Sequence, residues 1–150
     1  MALRYAVDTN VLLRLSDVVD PRHRSIKAAL GHLVSRGIDL CFAPQSLGEF
    51  WNTCTRPLGA NGFGLSIDET ELQIQSIEQT MKLLPEDERV YRVWHRFLFS
   101  HQVRGVQVHD THLAAVLEVH EVSHLLTLNG RDFKRFPNVI AVHPQEVLVP

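Results

Sequence analysis

The tightest constraint on the fold is a set of short, unbroken apolar runs separated by segments of helical periodicity. The runs are Tyr5-Ala6-Val7, Leu40-Cys41-Phe42-Ala43, His124-Leu125-Leu126-Thr127 and Val139-Ile140-Ala141-Val142. Each is too brief for a helix. Each also lacks the apolar–polar alternation of a strand with one wet face, so both faces must be covered. Between them, Val11, Leu12 and Leu15 recur at helical spacing from just after Asp8. A second helix opens at Pro21 and runs to Arg36 on Ile26, Ala29, Leu30, Leu33 and Val34, with Gly37 ending it. Further helices are expected over Pro44–Thr55, from Ser66 to Met81, over Glu86–His101 and over His109–His120. Lys82-Leu83-Leu84 reads as a short strand stopped by Pro85, and residues 56–66 as the longest loop. Asn129–Arg135 reads as a loop with one helical turn. Short buried strands alternating with helices predict an α/β, three-layer fold. A central, mostly parallel sheet of four to five short strands would be flanked by helices in one domain spanning residues 1–150.

Composition narrows the function classes. The 150 residues suit one core, and 45% hydrophobic content is enough to fill it. A net charge of −2 gives no overall basic excess, so any contact with nucleic acid must rest on a local patch. Cys41 and Cys54 sit in apolar segments and are too few for a cysteine zinc site; they read as core residues of a reducing compartment. No apolar run approaches the roughly 18–20 residues of a membrane span. The first apolar run meets Asp8 too soon for a signal peptide, so a cytoplasmic location is expected.

In a parallel α/β sheet, ligands collect at the C-terminal ends of the strands. Asp8 stands at the first such end, where it could equally cap the following helix. Glu49 lies off the apolar stripe of Leu47, Phe50, Trp51 and Cys54; it could form a capping box with Ser46, although Pro44 would start that helix earlier. Asp110 falls in line with Leu113, Ala114 and Leu117, where a carboxylate needs a cap geometry, a cation or a metal. Asn129 and Asp132 follow the fourth run, where turn chemistry alone could explain them. Carboxylates gathered at one edge repel one another, and a divalent cation relieves that repulsion. Oxygen donors suit Mg²⁺ or Mn²⁺, the ions of phosphodiester hydrolysis.

Four segments in this order resemble the PIN-domain family: Asp8-Thr9-Asn10-Val11-Leu12-Leu13, Ser46-Leu47-Gly48-Glu49-Phe50, His109-Asp110-Thr111-His112-Leu113-Ala114-Ala115 and Leu126-Thr127-Leu128-Asn129-Gly130-Arg131-Asp132-Phe133. The likeness is greatest to the bacterial VapC-type toxins. It implies a metal-dependent endoribonuclease blocked by a small antitoxin protein. It also implies metal-holding, catalytic roles for Asp8, Glu49 and Asp110. Many family members carry Asp where Asn129 stands, and others use an Asp three residues on. Asp132 is thus expected as the fourth acid, with Asn129 completing the pocket and the number of metals left open. Thr9, Asn10 and Thr127 are expected to orient Asp8 or water. Arg14 and Arg131, more than Arg56 and Arg104, are candidates for RNA phosphate.

Two alternatives stand beside this reading. His109-Asp110, with His95 or His101 and Asp132, could belong to an all-helical HD-type metal phosphohydrolase. Asn129 could mark a catalytically eroded RNA-binding or scaffold module. An apolar face of Phe97, Leu98 and Phe99 permits a homodimer, and the segments around 20–36 and 66–81 could receive an amphipathic partner helix.

Overall fold

The computed structural model describes residues 3–150. Strands β1 (Arg4–Val7), β2 (Asp39–Phe42), β3 (Lys82–Leu83), β4 (His124–Leu126) and β5 (Ile140–Val142) form one all-parallel sheet in the order β3-β2-β1-β4-β5. The helices are α1 (Thr9–Ser16), α2 (His23–Ser35), α3 (Pro44–Thr55), α4 (Ile67–Thr80), α5 (Glu88–Ser100), α6 (Gln107–Val119) and α7 (Pro144–Leu148). The expected three-layer α/β fold is what forms.

Successive strand residues feed opposite cores, as the strand period of two requires. Ala6, Cys41 and Leu125 join Val90 and Phe97 of α5 and Leu113–Leu117 of α6 on one face. Val7, Leu40, Phe42 and Leu126 join α1, α2, Phe50 and Cys54 of α3 and Ile77 of α4 on the other. Full burial of a side chain such as Phe50 contributes about 1.5–3 kcal/mol. Both cysteines are buried and unpaired, and burial pushes each thiol up to about 11. No described helix is long and apolar enough to cross a membrane.

Several boundaries differ from expectation. α2 begins at His23, not Pro21, because the Asp20 carboxylate accepts the Arg22 backbone N–H at 2.8 Å and holds Pro21 in a turn. Val34 is exposed rather than part of that helix's buried face. α5 starts at Glu88, after Asp87 caps it. α6 starts at Gln107, so Asp110 lies inside its first turn and is not its N-cap. α7 was not anticipated; a capping box between His143 and Glu146 starts it, and it packs on α2. Phe97 belongs to the core, leaving Phe99 as the exposed ring of the proposed dimer face. The five-stranded sheet excludes the all-helical HD-type alternative.

The loop at 56–66 is pinned to the end of α3. Phe63 N–H donates to Thr53 O, Leu65 N–H to Cys54 O, and Gly64 N–H to Arg56 O at 2.8–2.9 Å. A short 3-10 turn spans Leu58–Ala60. A Cβ on Gly62 would sit 1.9 Å from the Arg56 carbonyl oxygen, so the loop closes only because that position has no side chain. Gly62→Ala should therefore destabilise the protein by about 2–3 kcal/mol. Gly59→Ala, whose added carbon meets nothing within 4 Å, should change little. Paired denaturant melts check this; equal midpoints would show that the loop does not depend on the close approach.

Candidate active site

The chain leaves β1 first toward β2 and β3, then crosses back to β4 on the other side, so the strand order reverses between β1 and β4. The crevice expected at such a switch lies beyond their C-terminal ends. There Asp8, Thr9, Asn10, Glu49, Asp110, Asn129 and Asp132 line one cavity of about 270 Å³. Four segments supply them: Asp8 directly follows β1, Glu49 is in α3, Asp110 is in α6, and Asn129 precedes the 3-10 turn Gly130–Phe133 that contains Asp132.

Asp8 is tied down on both oxygens. Oδ1 accepts the Thr9 N–H at 2.8 Å, the N-cap bond of α1, and Oδ2 accepts the Thr127 hydroxyl at 2.8 Å. The Asn10 amide reaches Oδ2 at 3.5 Å, while its own Oδ1 accepts the Leu128 N–H at 3.1 Å. Thr127, almost wholly buried, also accepts the Asn129 N–H at 3.0 Å. Thr9, Asn10 and Thr127 thus all lie in contact with Asp8 or its immediate partners. Thr9 also donates to Glu49 Oε2 at 3.0 Å.

Glu49 makes no capping box with Ser46. Ala43 is the N-cap of α3, and Ser46 is buried. Instead, Gln45 Nε2 donates both to Glu49 Oε1 at 2.8 Å and to the His109 carbonyl at 3.0 Å, tying α3 to α6. Sequence reasoning missed Gln45. Its i, i+4 spacing to Glu49 was the available signal.

Electrostatics follow from this crowding. Burial raises the Asp8 carboxyl's pKa above its ordinary value; Thr127 and Thr9 oppose the shift, and Glu49 and Asp132 add to it. Asp110 is pushed up to about 6, chiefly by burial and then by Asp132, Asp8 and Glu49. All the donors are hard oxygens, the chemistry that suits Mg²⁺ or Mn²⁺. The donor set therefore fits such an ion, although among the described residues no three carboxylate, His or Cys groups yet converge closely enough to grip one.

The arginines are more dispersed. Arg14 pairs with Asp20 at 3.3 Å, and Arg56 donates to Asn61 O within its loop; neither lines the acidic cavity. Arg104 is exposed in the turn before α6. Arg131 lines a neighbouring cavity, not the rim of the acidic one. His95 stacks on Tyr91, and His101 packs edge-on against Phe97 and Phe136.

Asp110 gives the site a pH signature. Between the ordinary carboxyl value of 3.8 and about 6, the folded protein binds more protons than the unfolded chain. Its contribution to stability is full below about pH 4 and is lost as the pH rises through 6. Asp110→Asn should remove that loss. In metal-free buffer at about pH 7.5 the variant is expected to be more stable by about 1–2 kcal/mol, discounted for solvent screening of a half-buried group. The two proteins should converge near pH 4. A lower Tm for the variant at the higher pH would contradict the reading.

Comparison with known proteins places this geometry. No curated protein matches the sequence. Among solved structures, VapBC2 from Rickettsia felis, bound to a promoter DNA fragment, aligns with a TM-score of 0.71 at 14% identity, covering 94% of this chain and 98% of that one. DNA-bound VapBC from Salmonella typhimurium gives 0.69 at 16% identity over 95% and 98%. The sarcin–ricin-loop-cleaving toxin VapC20 from Mycobacterium tuberculosis gives 0.64 at 15% over 85% and 92%. These likenesses establish a common fold. The PIN domain profile matches residues 5–139, which takes in every carboxylate of the cavity and leaves little beyond β5 and α7 outside, and the chain belongs to the PIN domain family.

Proposed function

We propose that the protein is a metal-dependent endoribonuclease and the toxin half of a toxin–antitoxin pair. The observation that carries this reading is the ring of Asp8, Glu49, Asp110 and Asp132 around one cavity at the sheet's switch point. Family membership and the toxin structures sharing the fold support it. A bound Mg²⁺ or Mn²⁺ would supply Lewis acidity toward the phosphate and make water a better nucleophile. Asp8, Glu49 and Asp110 would hold the ion, with Asp132 as the fourth acid and Asn129 as a neutral oxygen donor. Thr127 and Thr9 orient Asp8, and Thr9 and Gln45 orient Glu49, at the shared cavity; a bound ion would draw the carboxylates closer together. One carboxylate of the ring accepts the proton of the attacking water.

Cleavage of bulk RNA with Mn²⁺ tests the reading. Asp110→Asn should lower the rate at least about 100-fold, the scale of losing a group that stabilises developing charge. Asp132→Asn should do more damage than Asn129→Ala; the inverse ranking would make Asn129 the fourth ligand. Absence of any metal-dependent cleavage by the intact protein would favour the eroded RNA-binding or scaffold alternative.

The antitoxin would have two places to engage. It could insert a cation among the carboxylates, or lay an apolar helix along α4. Cavities of about 450 and 380 Å³ run between the α1–α2 connection and α4, with Val18, Val19, Leu58 and Leu72 exposed beside them. If cation insertion dominates, Asp8→Asn/Asp110→Asn should weaken a co-encoded partner at least about tenfold in isothermal titration, about 1.4 kcal/mol. Unchanged affinity would assign the inhibition to the apolar groove.

A further inference from the structure

A second cavity of about 410 Å³ adjoins the acidic one, and the 3-10 turn Gly130–Phe133 separates them. Residues three apart superpose in such a turn. Asn129 and Asp132 therefore face the acidic cavity, while Arg131 and Lys134 line the other. Phe133 borders both, and Thr127 lines the second cavity while its hydroxyl bonds Asp8. The partition thus has carboxylates on one side and cations on the other.

The second cavity's remaining walls match a nucleotide. His143 Nδ1 accepts the Gln145 N–H at 3.1 Å, which leaves the neutral ring's proton on Nε2 as a donor. Glu146, the lone acid in the lining, has Oε1 committed to the His143 backbone N–H at 3.2 Å. Val139 and Ala141, both partly exposed, supply apolar surface for a base, with the buried Phe133 ring behind them. The volume falls within the roughly 300–1,000 Å³ of small-ligand sites.

We propose that this cavity receives the nucleotide adjoining the scissile phosphate of a single-stranded RNA, with Arg131 and Lys134 on its phosphate and its base against Val139 and Ala141. The inference rests on the nuclease reading. A base enters such a cavity only when unstacked, which selects single strands and loops over duplex. The cations also answer a problem set by the acidic ring, which repels RNA; an anchored neighbouring phosphate offsets that repulsion.

Fluorescence anisotropy of a labelled single-stranded RNA oligonucleotide, in EDTA to prevent cleavage and again with Ca²⁺, tests the assignment across a salt series. Arg131→Ala/Lys134→Ala should weaken binding at least about tenfold. The same variant should reduce the salt slope by about 0.7–1.4, the value for one or two single-strand phosphate contacts. Arg24→Ala/Arg36→Ala removes the same charge from exposed positions on and beside α2 and should stay within about twofold of the wild type. If both double variants weaken binding equally, or neither does, or the wild type binds no RNA in either buffer, the cavity is not a nucleotide subsite. Mn²⁺-dependent cleavage by the wild type, measured in parallel, reports on the nuclease reading by itself. Cleavage with an unaltered KM in Arg131→Ala/Lys134→Ala would keep that reading and discard the subsite.

Discussion

The pairing of β1 with β4 is the constraint on which the rest of the molecule depends. It joins the first strand to one that arrives more than a hundred residues later, and it sets where the sheet changes direction. At its end the Asp8 N–H donates to Leu126 O at 3.0 Å, so the ladder closes on the residue whose side chain opens the acidic cavity. One residue further along each chain, Thr9 and Thr127 supply the hydroxyls that steady the carboxylates. A slip of one residue in this register would turn Val7 and Leu126 out of their shared core and carry Thr127 away from Asp8. Packing therefore enforces the site's geometry.

Two opposing effects meet in that geometry. Burial and like charge raise the cost of ionising Asp8 and Asp110, while hydroxyl and amide donors lower it for Asp8. Asp110 has the weaker support, being near a helix start but not its cap. The balance leaves a pocket that gains from a positive charge, whether from an ion or a side chain. This is the common ground between the proposed metal site and the proposed cation-insertion route of inhibition.

Much of this was legible in the chain itself. Buried parallel strands leave unbroken apolar runs, so β1, β2, β4 and β5 announced themselves, and the acidic residues stood where those runs or the helix starts placed them. The errors had local physical causes. Asp20 diverted Pro21 into a turn, and α6 began two residues before the expected position without any side-chain cap to mark it. α7 is only one turn long, and its cap is a histidine, a residue not usually read as one. The spacing of Gln45 to Glu49 is legible, but its bond to the His109 carbonyl and the two-sided character of the Gly130–Phe133 turn are not, because both depend on which segments meet across the crevice.

Asp8 does two jobs, closing the first turn of α1 and contributing a carboxylate to the cavity. Position 8 consequently answers to two constraints, and the residue that replaces aspartate decides whether both are lost or only one. Alanine there would forfeit a cap worth about 0.5–2 kcal/mol along with the charge, whereas asparagine caps a helix about as well as aspartate. An inactive protein carrying asparagine would thus keep its first helix and its shape. A lineage drifting away from nuclease chemistry could pass through that single amide without first losing its fold.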